Sequence, residues 1–379
     1  MLDPSLFLED LQREGVSFFA GVPDSLMKPL CGVLVDSLQP HQHLVTANEG
    51  TAVSVAAGHH LATNQVPLVY MQNSGQGNAV NPLISLADPI VYGIPMLLLI
   101  GWRGEPGVKD EPQHRKQGEV TTALFDAMDI PWEVLATERG DAQKQLHDLK
   151  VLALERHGPV AMVVKKGSFE DYKLKTASPA SYPLSREEAA VAVAELLEES
   201  AAVVATTGKA SRELYEYRVR KEEPLGKDFL PVGSMGHASQ IALGIAISQP
   251  ERPVCCLDGD GAALMHLGGM ASIGASGLSN YRHVVINNGV HESVGGQPTT
   301  AGFGVDLCAV AKACGYGAAE RVSSREELKA AWERLMEVSG PTLLEIRVSV
   351  GSRANLGRPT TTPVENKDMF MRFLGNEAL

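Results

Sequence analysis

Leu257–Gly289 reads LDGDGAALMHLGGMASIGASGLSNYRHVVINNG. An apolar run ends in Gly259-Asp260-Gly261, small and apolar residues of helical character follow, and a second apolar run ends in Asn287-Asn288. The order is strand, tight turn, helix, strand, which fits a right-handed βαβ crossover between parallel strands. Two such strands bring Asp260 and the asparagine pair to one carboxyl edge, where open α/β sheets bind their ligands. A carboxylate beside an amide oxygen suits Mg²⁺, a hard cation that completes its shell with phosphate oxygens and water. The glycines let the backbone approach a phosphate closely.

Outward from this stretch the same rhythm repeats. Val16–Ala20, Leu44–Ala47, Pro67–Met71, Met96–Ile100, Trp132–Leu135 and Val160–Lys165 read as strands alternating with helices. Residues 1–167 therefore form one doubly wound α/β domain. Polar residues 168–185, with Pro179 and Pro183, read as a linker. A second domain spans 186–350, and an irregular, basic segment covers 351–379. Trp102–Gly118 is too long and polar for an ordinary connection, and such loops often carry function.

With 379 residues the chain exceeds what one core usually serves. Acidic residues outnumber basic ones 45 to 33, a formal charge of -12, which argues against nucleic acid or an anionic membrane as partner. Five cysteines without a CxxC pair, and an acidic N-terminus without a basic-then-apolar leader, point to a reduced, cytoplasmic setting. Neither Gly259–Leu264 nor Gly75–Val80 completes GxGxxG, and GxxxxGK[ST] is absent, which disfavours ordinary NAD and P-loop sites.

Gly259-Asp260-Gly261 followed by Asn287-Asn288 resembles the signature of the thiamine diphosphate enzymes, and Asn48-Glu49-Gly50 is similar to the place where their decarboxylases carry an activating glutamate. The resemblance implies a fold of two doubly wound domains, pyrimidine-binding and diphosphate-binding, without a middle domain. It implies thiamine diphosphate and Mg²⁺ as cofactors, with metal ligands Asp260, Asn288 and the Val290 carbonyl. Cofactor contacts implied in the same way are Glu49, Thr207, Gly208, Gly233, Gly259, Gly261 and Ala262, with Met235 as the apolar prop under the bent cofactor. Glu49 would hydrogen-bond the aminopyrimidine so that the cofactor's reactive carbon loses its proton.

Gly21–Leu26, Gln72–Gly75, Gly101–Gly104, Asp110–His114, Ser293–Pro298 and Gly351–Pro359 narrow the resemblance to the phosphonopyruvate decarboxylase branch, with sulfopyruvate decarboxylases as kin. Its substrate would be a small anionic 2-oxo acid. Asp24 and His114 are the candidates for proton steps, ahead of His237, His291 and Glu292. Ser25, Ser74, Arg103, Lys109, Arg353 and Arg358 are candidates for substrate, with Arg115 and Lys116 behind them. Asp24 and Glu49 also have simpler readings as turn and helix caps. In this family one site takes its two halves from different subunits, which implies a homodimer or larger homo-oligomer. A reading from another class is a regulatory module that binds a magnesium nucleotide through Asp260 without catalysis; the coincidence of Glu49 with the clamp speaks for the enzyme.

Overall fold

The structure, a computed structural model, describes residues 1–176, 181–300, 302 and 304–377. Pro179 of the expected linker lies outside the described residues. The chain divides into one unit of Met1–Ala177 with His291–Gln297 and another of Ser178–Val290 with Pro298–Leu379. The sequence predicts an unbroken second domain through 350; the structure instead groups the short His291–Gln297 segment with the first unit.

The first unit holds six strands: β1 (Phe19–Gly21), β2 (His43–Val45), β3 (Leu68–Gln72), β4 (Met96–Gly101), β5 (Trp132–Val134) and β6 (Pro159–Val164). They pair in parallel in the order β2-β1-β3-β4-β6-β5. β4 is the central apolar run, with Met96–Ile100 at most 1% exposed, as befits a parallel strand covered on both faces. Leu97 and Leu99 pack with Phe19 and Leu68 on one face, and Leu98 and Ile100 pack with Val69 and Phe125 on the other. Burying each such side chain contributes about 2 kcal/mol, so the sheet's centre, not its edges, fixes the register.

The second unit holds β7 (Ala202–Ala205), β8 (Asp228–Phe229), β9 (Val254–Gly259), β10 (Tyr281–Asn287), β11 (Ala318–Val322) and β12 (Thr342–Arg347). Its parallel order is β8-β7-β9-β10-β12-β11. Counted along the chain, both sheets run 2-1-3-4-6-5. The two units thus repeat one topology, although the sequence shows no short repeat. Each sheet reverses direction between its first and third strands, and the crevice at the carboxyl ends of those strands is where such folds take ligands. The edge strand β8 is tied down by Asp228, whose carboxylate accepts from Arg218 Nε at 2.9 Å with both side chains buried. No helix among the described residues is long and apolar enough to cross a membrane.

Three expectations need correction. The helical stretch after Asp260 is two helices, Asp260–Met265 and Gly269–Ser276, because His266, Leu267 and Gly268 turn between them. The long loop after β4 ends early: Pro112, pre-set for a first helical position, opens a helix that runs to Ala127. The C-terminal segment is irregular only at first, since Thr362 and Glu365 form a capping box that starts the helix Pro363–Phe373.

Candidate active site

In the first unit the switch point lies between the ends of β1 and β3. Glu49 opens the helix Glu49–Thr63, capped by the Asn48 side chain, which accepts from Thr51 N at 2.9 Å. Its carboxyl is buried, and Asn78 Nδ2 donates to Oε2 at 2.7 Å. Burial pushes the Glu49 carboxyl up, against the pull of the Asn78 hydrogen bond, so it keeps a proton more readily than an exposed glutamate. Gly75 makes room for it, because a Cβ there would overlap the Glu49 carboxyl group.

Asp24 follows β1 and is fully buried. Its Oδ2 accepts from Leu26 N at 2.8 Å and Met27 N at 3.3 Å, and its Oδ1 accepts from Gln72 Nε2 at 2.7 Å. Burial again raises the carboxyl's proton affinity. Ser74 donates to Gln72 Oε1 at 2.9 Å, so Asp24, Gln72 and Ser74 form one chain across the ends of β1 and β3. As built, Asp24 holds the turn that presents Ser25. A Cβ on Gly101 would strike this carboxylate, which explains glycine at the end of β4.

Arg103 is held by Asp110 through Nε at 2.8 Å and Nη2 at 2.5 Å, and its Nη1 donates to Ser25 Oγ at 2.9 Å. Asp110 also accepts from Gly104 N and Glu111 N, each at 2.8 Å. These partners hold the Asp110 carboxyl well below the usual range, the Arg103 hydrogen bond most of all. Asn73 fastens the loop to β3 by donating to the Arg103 carbonyl at 2.8 Å. Lys109 lies exposed on the same loop, lining a cavity of about 110 Å³ with Arg103 and Trp102. His114 stands half-buried in the first turn of Pro112–Ala127, not in open loop. Its carbonyl passes so close to Gly104 that no Cβ fits there, and Gly104 has φ +69°. Arg115 and Lys116 are exposed on the same helix.

In the second unit the corresponding edge carries the residues of the expected clamp. Ile286 pairs with Gly259, so Asp260 and Asn287 leave adjacent strands side by side. Asp260 is buried and accepts from Thr299 Oγ1 at 2.5 Å. Burial pushes its carboxyl up to about 6, a cost that a divalent cation reverses. Asn287 Nδ2 donates to Glu345 Oε1 at 2.8 Å, and Glu345 is in turn paired with Arg321 and Arg347. Asn288 Oδ1 accepts from Val290 N at 3.1 Å. Asp260, the Asn288 amide and the Val290 carbonyl, the expected ligands, would offer oxygens only, the donors that Mg²⁺ takes.

Thr206 continues β7, its N donating to Leu257 O at 2.7 Å, and Thr207 leads to Gly208, whose φ of +115° admits only glycine readily. Gly261 and Ala262 form the first turn of Asp260–Met265. Gly233 and the half-buried Met235 lie on the turn before Ala238–Ser248, where Ser234 and Gly236 have φ +53° and +85°. The His237 and His266 rings are 4.3 Å apart beside this turn. The surroundings of His291 push its imidazole down to about 4.

Arg353, a candidate anion ligand, is ion-paired in the second unit. Its Nε donates to Glu187 at 2.8 Å and its Nη2 binds Glu216, so its charge is already met. Arg358 is exposed. Sequence reasoning missed Asn78, Asp110, Gln72 and Thr299 as site residues, and each meets its partner only through the fold.

The chain matches two family models, the thiamine pyrophosphate enzyme N-terminal TPP binding domain over residues 5–129 and the C-terminal TPP binding domain over 190–346. Residues 130–189 between them supply β5 and β6 to the first sheet, so no middle domain separates the two among the described residues. The chain is 39% identical to the phosphonopyruvate decarboxylase of Streptomyces hygroscopicus, over 98% of this chain and 94% of that protein. It is 38% identical to that of Streptomyces viridochromogenes, over 95% and 92%. Identity to the sulfopyruvate decarboxylase of Methanosarcina acetivorans is 24%, over 91% of each.

Proposed function

The chain belongs to the thiamine pyrophosphate enzymes, in the phosphonopyruvate decarboxylase branch, and from that premise we propose that it converts 3-phosphonopyruvate to phosphonoacetaldehyde and CO₂. Thiamine diphosphate, when bound, supplies the electron sink for the carbanion left by departing CO₂. The observation that carries the reading is the near full-length identity to two phosphonopyruvate decarboxylases, set against the lower identity to a sulfopyruvate decarboxylase.

The residues divide the work by chemistry. Glu49, whose proton affinity burial raises and whose carboxyl Asn78 orients, would hydrogen-bond the cofactor's ring nitrogen. Asp260, Asn288 and the Val290 carbonyl would hold Mg²⁺ against the diphosphate, with Thr299 orienting Asp260 and Glu345 fixing the neighbouring Asn287. Gly208 and the Thr206-Thr207 turn would let backbone approach the phosphates, and Met235 would support the cofactor's bend. Asp24 positions Ser25, and through Gln72 also Ser74, at the substrate end. We further take the active species to be a homo-oligomer in which Glu49 and Asp260 serving one cofactor come from different subunits.

With thiamine diphosphate and Mg²⁺ added, kcat/KM is expected to rank 3-phosphonopyruvate above 3-sulfopyruvate, and both well above pyruvate. A preference for sulfopyruvate would move the enzyme to the other branch.

A further inference from the structure

The cavity of about 110 Å³ beside Arg103 lies at the carboxyl edge of the first sheet, where the loop after β4 faces the chain leaving β6. Its charges can be counted. Arg103 is neutralised by the two-point contact with Asp110. Glu105 is neutralised by Lys165, whose ammonium bonds its carboxylate at 2.5 Å and lies 5.5 Å from the Trp102 ring centre. Lys109 and Lys166 also line the cavity, and neither has an ion-pair partner among the described residues. Two ammonium charges are therefore left over, on walls that also include Leu26, Trp102, Gly104 and Val108 beside the paired charges.

A phosphonate near neutral pH carries between one and two negative charges, its second proton being held somewhat more tightly than that of a phosphate monoester, whereas a sulfonate carries one. We propose that Lys109 and Lys166 form the subsite for the substrate's phosphonate, and that Lys166 sets the preference for the more highly charged acid. The proposal rests on the phosphonopyruvate reading and names the residues that select its tail. The Arg103–Asp110 pair has a positioning role: it shapes the loop and presents Ser25, while the lysines supply the net charge. Lys166 sits two residues past the end of β6, so the strand fixes where its stem begins.

The test compares Lys166→Gln, Lys166→Arg and wild-type holoenzyme on 3-phosphonopyruvate and 3-sulfopyruvate, with methylphosphonate and methanesulfonate as competitive inhibitors. Losing one charged contact is expected to raise KM for phosphonopyruvate roughly ten- to hundredfold, with kcat much less affected. The same change should weaken methylphosphonate inhibition by a similar factor and leave methanesulfonate nearly unmoved, and Lys166→Arg should restore most of the loss. Lys166 is exposed, so the fold should survive substitution. A Lys166→Gln KM within twofold of wild type, or equal losses for both acids, overturns the subsite. Failure of wild type to turn over phosphonopyruvate would instead overturn the function and is read independently of the variants.

Discussion

Glu49→Gln is expected to lower kcat roughly a thousandfold while leaving thiamine diphosphate and Mg²⁺ binding nearly intact. The substitution keeps the shape of the side chain and can still meet Asn78. What it removes is the ionisable carboxyl group, whose proton affinity burial raises. Steady-state kinetics read the first effect; calorimetric titration of the cofactor and circular dichroism read the second and guard against misfolding. The space left by Gly75 is shaped to this one group. Turnover within tenfold of wild type would show that Glu49 is only the helix-opening acid its position permits.

Asp260→Ala acts at the other end of the cofactor. It removes the one carboxylate among the three proposed metal ligands, and the remaining neutral oxygens bind Mg²⁺ poorly. The affinity for thiamine diphosphate in the presence of Mg²⁺ is expected to fall at least roughly a hundredfold, with activity falling alongside. Thr299→Val should cost less, about tenfold, because it only frees the carboxylate that the hydroxyl orients at 2.5 Å. Unchanged cofactor affinity in Asp260→Ala, measured by titration with Mg²⁺, would remove Asp260 from the clamp. Mixing subunits of Glu49→Gln and Asp260→Ala should restore up to roughly a quarter of wild-type activity, since random dimers then contain sites with both residues intact. No recovery after dissociation and remixing would contradict the shared site.

The placement of the candidate clamp residues was legible because their geometry is local. A strand, a crossover and a neighbouring parallel strand leave little freedom, and the observed pairing of Ile286 with Gly259 places Asp260 and Asn287 side by side as the spacing predicts. Glu49 was legible for the same reason, standing just inside a helix that follows a strand. The supporting groups were not. Asn78 lies 29 positions from Glu49, Thr299 lies 39 from Asp260 and Glu345 lies 58 from Asn287, and no pattern in the chain joins them before it folds. The ion pairs of the basic candidates were hidden for a related reason: Arg103 and Arg353 meet Asp110, Glu187 and Glu216 only once the chain folds. Lys166 stayed hidden because a lysine after a strand carries no signal until its neighbours' charges are paired off. The shared 2-1-3-4-6-5 order was likewise invisible, since topology repeats without residues repeating.

The most direct test of the decarboxylase account is ³¹P NMR of 3-phosphonopyruvate incubated with the purified protein, thiamine diphosphate and Mg²⁺, with CO₂ measured in parallel. The account predicts that the substrate resonance is replaced by that of phosphonoacetaldehyde with one CO₂ per molecule consumed, and that omitting either cofactor or using Glu49→Gln stops the conversion. An unchanged phosphonopyruvate signal from folded, cofactor-loaded protein, or consumption without stoichiometric CO₂, would contradict it.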